Sequence, residues 1–579
     1  MVNLKIDGID VCVPEGTTIL DAARTIGVNI PTLCYLKEIN AIGSCRICLV
    51  EVKGARGFAA SCVHPVSEGM EVNTNSAAIQ KSRKHTLELI LSTHKKECLS
   101  CVRSGNCELQ KLCKDFGIED ANLYKGENIE YKNDDSTVHM IRDNNKCILC
   151  RRCVAACARM QGIGVIGPND RGFDTHIGCA FEKDLGDVAC ISCGQCVVAC
   201  PTGALRERDC TEKIWVALND PKKHVIVHTA PSIRVTLGEA FGMPIGSNVT
   251  GKMVSALKIL GFDDVFDTDF AADLTIMEEA KEFLDRVQNG GKLPLITSCS
   301  PGWVKYCEYF YPEFIPNLSS CKSPQQMFGA IAKTYYAEKM NLDPKDIVVV
   351  GIMPCTAKKF EKSRENENAA GVPDIDVSIT TRELARMISR AGIDFVNLKD
   401  SKFDGDLGMS SGAGTIFGAT GGVMEAALRT ASDWLTGKDL TDIDFTAVRG
   451  IEGVKEASLN VAGIDINIAV ASGTANAKKI LEKVKAGEKQ YHFIEIMGCP
   501  GGCVNGGGQP VVPAYVRNSI NLMDIRGKAL YEADKNDVYR KSHQNPSIIK
   551  VYDEFLGEPG SHKAHEILHT TYVKREENI

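Results

Sequence analysis

Two runs of four cysteines are the residues of this sequence with the clearest capacity for chemistry. Both follow the spacing C-x2-C-x2-C-x3-C, and a proline follows the second run. This spacing holds two [4Fe–4S] clusters, in which the fourth cysteine of each run ligates the other cluster. Structural zinc takes four ligands and does not require a repeated third cysteine, so we disfavour it. The predicted ligands are Cys147, Cys150, Cys153, Cys157, Cys190, Cys193, Cys196 and Cys200.

Four further cysteines lie within the first 80 residues. Small residues in the loop Gly43–Cys48 allow backbone N–H groups to approach sulfide. The arrangement resembles the [2Fe–2S] site of plant-type ferredoxins, with a first spacing longer than C-x4-C. An Asp7-Gly8 turn predicts a hairpin, and Thr17–Ala23 predicts the start of a helix. Residues 1–80 are predicted to form a β-grasp [2Fe–2S] module with the ligands Cys34, Cys45, Cys48 and Cys62.

A histidine and three cysteines with the spacing H-x3-C-x2-C-x5-C follow in residues 81–125. An isolated histidine of this kind usually belongs to a solvated helix face, but its position before C-x2-C in a cysteine-rich chain favours ligation. An imidazole in place of a thiolate makes a cluster less negative and tends to raise its potential. We predict a one-His three-Cys [4Fe–4S] module with the ligands His94, Cys98, Cys101 and Cys107.

Composition excludes several classes of function. The 579 residues suggest about four domains, and the net charge of −7 offers no basic surface for nucleic acid. The sequence has no run of 18 apolar residues and no signal-peptide pattern at its start, so we expect a cytoplasmic protein without membrane insertion. Twenty-five cysteines in a reducing compartment indicate metal ligation rather than disulfides.

The remaining sequence supplies the elements that position a further site. Residues 138–209 form the predicted two-cluster ferredoxin-like domain, and residues 210–579 have an α/β pattern. Four short apolar runs are interpreted as buried parallel strands: 224–227, 293–297, 346–350 and 492–496. The last three end in cysteine-bearing loops, and the carboxyl ends of parallel strands carry the sites of open α/β sheets. The predicted fold class is α+β multidomain.

These loops resemble the three signature motifs of [FeFe]-hydrogenases. They are Thr297–Trp303, Met353–Lys359 and Met497–Cys503, and Gly506–Pro510 follows the last. The resemblance covers essentially the whole chain, because the order of the N-terminal modules matches the long modular members of that family. It implies two parallel-sheet lobes around an H-cluster. This cofactor is a [4Fe–4S] cubane joined by a cysteine thiolate to a two-iron unit with CO, cyanide and a bridging amine dithiolate.

The resemblance also implies roles for individual residues. Cys355, Cys499 and Cys503 match cubane ligands, and Cys503 matches the bridge to the two-iron unit. Lys358 matches a residue that donates to a cyanide. Residues that match the surroundings of the two-iron unit are Pro231, Ser232, Ser323, Met353, Met497 and Phe417.

A proton relay is implied in the same way, from Cys299 through Glu279, Ser319 and Glu282 to Arg286. Glu279 and Glu282 are three residues apart on a predicted helix and therefore share one face. Burial would raise their pKa toward neutrality, which suits proton transfer. Without the motifs, a solvated helix face would be the better interpretation of these charges.

The first loop departs from the family pattern Thr-Ser-Cys-Cys-Pro, because Ser300 replaces the second cysteine, the fourth cubane ligand. Three outcomes remain open: Ser300 ligates as alkoxide, Cys299 ligates and leaves the relay, or Cys321 completes the site. Cluster iron prefers a soft thiolate to an alkoxide, which argues against ligation by Ser300. The complete set of relay residues argues for it, because the relay would be idle if Cys299 were the ligand. We favour ligation by Ser300. Gly498 also replaces the usual Ala beside Cys499 and would loosen or hydrate the pocket.

The predicted function is reversible hydrogen activation, 2H⁺ + 2e⁻ ⇌ H₂, with electrons relayed through one [2Fe–2S] and three accessory [4Fe–4S] clusters. The electron partner is ferredoxin, or NAD(H)/flavin-binding and iron–sulfur partner subunits of an electron-bifurcating complex. The chain has no G-x-G-x-x-G motif after a strand, so nicotinamide chemistry requires a partner. The segment Ala564–Tyr572 resembles that of complex subunits. Maturation proteins would insert the two-iron unit.

Two other functions compete with catalysis. A relative that senses H₂ or redox state would tolerate the altered first loop. A pure electron-conduit subunit would share the N-terminal modules. The relay residues argue against the sensor, and Cys355, Cys499 and Cys503 argue against the conduit.

Overall fold

A five-stranded mixed sheet begins the chain. The computed structural model describes residues 1–37, 39–125, 129–461 and 464–576. The strand order is β2–β1–β5–β3–β4, and the predicted hairpin turns at Asp7 and Gly8, whose φ angles are 51° and 82°. The predicted helix α1, Ile19–Thr25, is capped by the Thr18 side chain. The strands are β1 Val2–Ile6, β2 Ile9–Val13, β3 Leu49–Val52, β4 Ala59–Ala60 and β5 Glu71–Asn73.

A continuous helix joins the first two cysteine-bearing modules. This helix, α2, runs from Ala77 to Ser92, and α3 follows at Glu108–Asp115. The predicted domain boundary between residues 80 and 81 therefore falls inside α2. Helix α2 packs on β3, where Arg83 donates to the Leu49 carbonyl at 2.6 Å, and its C-terminal end leads to His94.

The two-cluster domain follows, with two short antiparallel strand pairs around the cysteines. In the described part of the predicted polar linker 126–145, Asp134 pairs with Arg142 at 2.9 Å, so this part packs on the domain; residues 126–128 lie outside the described residues. The elements are β6 Met140–Arg142, β7 Gly167–Asn169, β8 His176–Gly178, β9 Leu205–Glu207, α4 Arg152–Ala155 and α5 Gln195–Ala199. β6 pairs with β9, and β7 pairs with β8.

Two four-stranded sheets organise the region after residue 210. The first has the order β11–β10–β13–β14 and is parallel throughout. The second has the order β12–β17–β16–β15, and its edge strand β15 is antiparallel to β16, so the prediction of two parallel-sheet lobes is wrong for this edge. The strands are β10 His224–Thr229, β11 Asp264–Asp267, β12 Leu295–Ile296, β13 Ile347–Met353, β14 Val377–Thr380, β15 Val454–Val461, β16 Ile464–Ser472 and β17 Phe493–Met497. The four predicted parallel runs are confirmed as β10, β12, β13 and β17.

Helices cover both sheets, and a C-terminal group of helices packs back on the core. The longest, α8, buries most of its side chains between the two sheets. Among the described residues, none of the helices is both long and apolar enough to cross a membrane. The helices are α6 Thr211–Leu218, α7 Thr250–Leu260, α8 Thr268–Asn289, α9 Pro301–Phe310, α10 Pro324–Ile331, α11 Ala337–Met340, α12 Lys358–Glu361, α13 Thr381–Arg390, α14 Gly412–Thr415, α15 Gly422–Thr436, α16 Thr474–Lys485, α17 Ala514–Arg517, α18 Leu522–Lys535, α19 Pro546–Val551 and α20 His562–Leu568.

Candidate functional site

An interior cavity lies where the carboxyl ends of strands from both sheets meet. Its lining side chains are mostly apolar. The loop after β12 contributes Cys299 and Ser300, the loop after β13 contributes Cys355, and the loop after β17 contributes Cys499 and Cys503. Other predicted residues in the lining are Pro231, Met353, Lys358, Phe417 and Met497.

The two predicted pocket residues outside this lining support it from behind. Ser232 accepts a hydrogen bond from Gln509 Nε2 at 3.0 Å, and the same amide donates to the Cys503 carbonyl at 3.0 Å. Ser323 lies beside Lys358. The structure therefore brings every sequence-predicted pocket residue to the cavity or to its immediate support.

The three predicted ligand thiols fit an iron–sulfur cluster. Burial raises the pKa of Cys355, Cys499 and Cys503, in the last case to about 12, and neighbouring thiolates of this group raise the pKa of Cys499 further. Free thiols here would stay protonated at neutral pH. When cluster iron replaces these protons, its positive charge offsets the repulsion among the resulting thiolates. Cluster iron also prefers soft thiolate donors. The donor set therefore suits a cubane.

Ser300 faces the same cavity and is held by the backbone of the third loop. The Gly498 N–H donates to Ser300 Oγ at 3.0 Å, and Ser300 also begins α9 as its cap residue. A Cβ atom at position 498 would lie 3.1 Å from Ser300 Oγ. The two departures from the family pattern are thus in direct contact, and the absence of a side chain at Gly498 gives the Ser300 hydroxyl room.

Cys321 lies elsewhere. It does not line the cavity, and its Sγ is 3.9 Å from Glu282 Oε2, on the far side of the relay. Ligation by Cys321 would therefore require its loop to move. Among the three outcomes that the sequence leaves open, the geometry supports only Ser300 and Cys299, both of which reach the cavity.

Lys358 is the first residue of α12 and is fixed by several acceptors. Its Nζ donates to Ser323 Oγ at 2.7 Å, to the Cys299 carbonyl at 3.2 Å and to Glu361 Oε2 at 2.9 Å. Glu361 also accepts from Ser323 and Gln325. Sequence analysis missed Glu361, although its spacing of three residues from Lys358 in a helix could have indicated the pair.

The predicted relay residues lie near one another, from Cys299 at the cavity to Glu282 and Arg286 further along α8. Glu279 is fully buried, and desolvation together with the Glu282 charge raises its pKa to about 8. Its Oε2 atom has no hydrogen-bond partner among the described residues. Ser319 Oγ donates to Glu282 Oε2 at 2.9 Å, and Arg286 donates to Glu282 Oε1 at 2.5 Å. Burial and the Glu279 charge also raise the pKa of Cys299 at the inner end.

The four N-terminal cysteines come together in two pairs. Cys34 and Cys45 each donate a backbone N–H to the other's Sγ, at 3.3 and 3.5 Å, and the Sγ atoms of Cys48 and Cys62 are 3.3 Å apart. The charges of the two pairs also influence each other's pKa. Two pairs of adjacent thiols match the two irons of a [2Fe–2S] cluster.

His94 has the properties of a metal-ligating imidazole. Its Nδ1 atom is buried and has no hydrogen-bond partner among the described residues. Burial lowers the pKa of His94 to about 4, which keeps the ring neutral, as metal ligation requires. The module of Cys98, Cys101 and Cys107 docks on the second run, since Arg103 donates to the Cys200 carbonyl at 3.0 Å.

The eight cysteines of the two runs lie close to one another in the interior of their domain. Burial is the main cause that raises the pKa of Cys147, Cys150 and Cys153, and the charge of Cys200 adds to it. Burial likewise raises the pKa of Cys190 and Cys196, and the charge of Cys157 adds to it. The fourth cysteine of each run is thus close enough to act on thiols of the other run, which is compatible with the predicted crossed ligation.

Direct contacts connect these sites to one another. Asn40 Nδ2 donates to the carbonyls of Cys34 (2.8 Å) and Cys150 (3.0 Å). At the other end, Gln195 donates to the Asn505 carbonyl at 2.8 Å, and a Cβ atom at Gly507 would lie 2.1 Å from the Cys193 carbonyl oxygen. Only glycine permits this approach, which places the second run against the third cavity loop.

Comparison with known proteins agrees with this arrangement. Family models match as "Iron only hydrogenase large subunit, C-terminal domain" over residues 223–507 and "Iron hydrogenase small subunit" over 520–575. A 2Fe-2S binding domain model matches residues 1–77, the NADH-ubiquinone oxidoreductase-G iron–sulfur binding region matches 83–122, and a 4Fe-4S dicluster domain matches 146–204.

Individual relatives cover the whole chain. The NADP-reducing hydrogenase subunit HndD of Solidesulfovibrio fructosivorans is 50% identical over 100% of this chain and 99% of its own length. Iron hydrogenase 1 of Clostridium pasteurianum is 44% identical over 99% of this chain and 100% of its own length. A solved structure of a variant of the apo [FeFe]-hydrogenase HydA1 from Chlamydomonas reinhardtii is 42% identical, covers 62% of this chain and 98% of that chain, and has a TM-score of 0.56.

The buried Lys358–Glu361 pair yields a stability prediction. Lys358→Met should lower the free energy of unfolding by about 3 kcal/mol, because the Glu361 carboxylate stays buried without its cation. The matched double variant Lys358→Met/Glu361→Gln should recover most of this loss, since no charge remains buried. Urea unfolding of the two proteins measures the difference. Equal midpoints for the single and double variants would contradict the prediction.

Proposed function

The chain belongs to the family of iron-only hydrogenases, and from this membership we propose that it catalyses the reversible reduction of protons to H₂ at an H-cluster in the cavity described. The observation that carries the proposal is the convergence of Cys355, Cys499 and Cys503 on one cavity, whose wall includes Cys299, the first of the proposed relay residues. Residues that could hold iron and residues that could carry protons therefore meet at the same cavity.

Cys355, Cys499 and Cys503 would hold the cubane, with Ser300 as its fourth ligand and Cys503 as the bridge to the two-iron unit. When bound, the H-cluster supplies the iron at which protons and electrons combine to form H₂. Lys358, held by Ser323 and Glu361, presents its ammonium group at the wall of the cavity as a donor to a cyanide. The mostly apolar lining, which includes Met353, Met497 and Phe417, excludes water from the cavity.

Protons would move between Cys299 and the outside through Glu279, Ser319 and Glu282. Glu279 keeps its proton up to about pH 8 and can therefore donate or accept near neutrality. Its neighbour Glu282 lies beside the Arg286 guanidinium and is less deeply buried. Two carboxyl groups in such different environments suit alternating roles as acid and base.

Electrons would reach the cavity through one [2Fe–2S] and three [4Fe–4S] accessory clusters on the cysteine and histidine sets described. The contact of the Cys193 loop with Gly507 supports the second run as the cluster site next to the H-cluster. The Asn40 bridge supports an approach from the N-terminal module.

We further propose that the chain works in an NAD(P)-linked complex with flavin-binding and iron–sulfur partner subunits, and that ferredoxin is an additional electron carrier in electron bifurcation. The support is the relative at 50% identity, which is named as a subunit of an NADP-reducing hydrogenase. Dedicated maturation proteins would supply the two-iron unit. The cytoplasmic location stays a prediction.

The Ser300 substitution favours one second candidate, a hydrogen-sensing relative with little turnover. Infrared spectra of anaerobically matured protein, first under argon and then under H₂, test both functions. CO and cyanide bands that shift under H₂, together with H₂ evolution from reduced dye, would support the enzyme. Shifting bands without turnover would support the sensor. Absence of the bands in a fully iron-loaded, matured sample would contradict both functions.

Ligation by Ser300 predicts a specific redox effect. Ser300→Cys should preserve the cubane and raise its potential, because thiolate is a softer donor than alkoxide and stabilises reduced iron better. Ser300→Ala should reduce the iron content of the cubane. Redox titration followed by electron paramagnetic resonance measures both. An unchanged potential in Ser300→Cys, with full iron content in Ser300→Ala, would show that position 300 is not a ligand.

The relay predicts both an activity loss and a change in pH dependence. Glu279→Gln should lower turnover in both directions by about 10²-fold or more, with unchanged iron content.

Because burial raises the pKa of Glu279 from 4.5 to about 8, the folded protein binds this proton more tightly than the unfolded chain. Its stabilisation is present below pH 4.5 and is lost as pH rises toward 8. Glu279→Gln should flatten this decline in urea midpoints; an unaltered decline would refute the assignment.

A further inference from the structure

A second hydrogen-bonded path leaves the relay at Glu282, away from Arg286. Glu282 Oε2 accepts from Ser319 toward the cavity and lies 3.4 Å from Ser320 Oγ on the other side. Ser320 Oγ is in turn 2.8 Å from His569 Nδ1. One hydroxyl group therefore separates the outer relay carboxylate from an imidazole 287 positions later in the chain.

The C-terminal segment holds this imidazole in place. His569 pairs with Cys321 in an antiparallel bridge. The Lys322 N–H donates to the Leu568 carbonyl, and the Thr570 N–H donates to the Ser320 carbonyl, each at 2.8 Å. The backbone on both sides of His569 is thus tied to the backbone that carries Ser320, which fixes the distance between the two side chains.

Glu278 determines which nitrogen of His569 carries the proton. Glu278 Oε2 lies 3.0 Å from His569 Nε2, and the fully buried carboxylate also accepts from the Tyr552 hydroxyl and the Gly560 N–H. A Glu278 carboxylate accepts from all three groups when Nε2 carries the ring proton. The lone pair of Nδ1 then faces the Ser320 hydroxyl.

Arg286 is poorly suited to exchange protons at this position. A guanidinium does not lose its proton in proteins. The Arg286 donors are also occupied, by Glu282 Oε1 and by the carbonyls of Lys292, Asn317 and Leu318. This geometry holds Glu282 in place but offers no group that can accept a proton. An imidazole, by contrast, changes charge between pH 5 and 8.

We propose that His569, coupled to Glu282 through Ser320 and oriented by Glu278, exchanges protons between the relay and solvent, and that Arg286 positions Glu282. The inference rests on the proposed relay. When a proton leaves, the Glu282 O–H bond breaks as a Ser320 O–H bond forms, and the original Ser320 proton moves to His569 Nδ1. Glu282 is then a carboxylate beside Arg286, and His569 is an imidazolium beside Glu278. Water removes the proton from His569, and the reverse sequence delivers protons for H₂ evolution.

The charges around His569 are compatible with this exchange. Glu278 and Glu282 face it from α8, Cys321 faces it from the loop before α10, and Tyr552 lies behind Glu278. The exposed ring of His565 lies against it, with centroids 3.9 Å apart and the ring planes tilted by 32°. Burial and the neighbouring His569 charge lower the pKa of His565, so the two rings do not readily hold protons together. His569 itself reaches solvent with 6% of its side chain.

Matured holoenzyme carrying His569→Gln tests the assignment, because the Gln side chain keeps hydrogen bonds but accepts no proton. Turnover should fall by about tenfold or more with unchanged iron content, CO and cyanide bands and urea midpoint, and the imidazole-dependent limb of the pH profile should disappear. In His569→Ala, added imidazole should restore activity. Ser320→Ala should reproduce the loss without a change in the C-terminal segment. His562→Gln, at an exposed histidine of helix α20, which ends one residue before His569, is the matched control and should behave as wild type.

The outcomes separate this inference from the relay itself. Glu282→Gln blocks every exit, so full activity there would overturn the proposed relay. If Glu282→Gln is inactive but His569→Gln and Ser320→Ala remain within twofold of wild type, protons leave directly from Glu282 or past Arg286, and the inference is wrong. Loss of activity in His569→Gln without imidazole rescue of His569→Ala, and with an unchanged pH profile, would mean a purely structural role and would also overturn it.

Discussion

The exclusion of water from charged and soft groups is the constraint on which this structure depends. The cavity thiols, Glu279 and the Lys358–Glu361 pair all lie where an isolated charge is costly. Each therefore needs a defined partner: a proton or, as proposed, iron for the thiols, a retained proton for Glu279, and an opposite charge for Lys358. Burial of these groups costs free energy, and the same burial shifts the pKa of Glu279 into the range useful for proton transfer.

Close backbone contact between modules is the second determinant, because electron transfer needs neighbouring clusters. Gly507 meets the Cys193 carbonyl with no room for a side chain, and Asn40 joins the carbonyls of Cys34 and Cys150. The Arg152–Glu108 ion pair, buried and bidentate at 2.8 and 2.9 Å, fixes the two-cluster domain against the one-His three-Cys module. Rigid docking of this kind keeps the spacing of the clusters constant.

The site also shows that its two departures from the family pattern belong together. Ser300 Oγ is hydrogen-bonded by the Gly498 N–H, and a side chain at position 498 would crowd that oxygen. A serine in one loop is thus accompanied by a smaller residue in the loop opposite. The predicted relay residues next to it are all present, so the two departures are confined to the proposed ligand position.

The sequence alone determined the cluster types, the order of the modules and the strand positions, because cysteine spacing and apolar periodicity are local properties of the chain. The Asp7-Gly8 hairpin, the helix after Thr18 and the four parallel strands followed in the same way. Tertiary structure decided the antiparallel edge strand β15, the continuous helix across residues 80 and 81, and the place of Cys321 away from the cavity. It also decided that His569 meets Ser320, since contacts between segments far apart in sequence depend on how the elements pack and leave no local pattern.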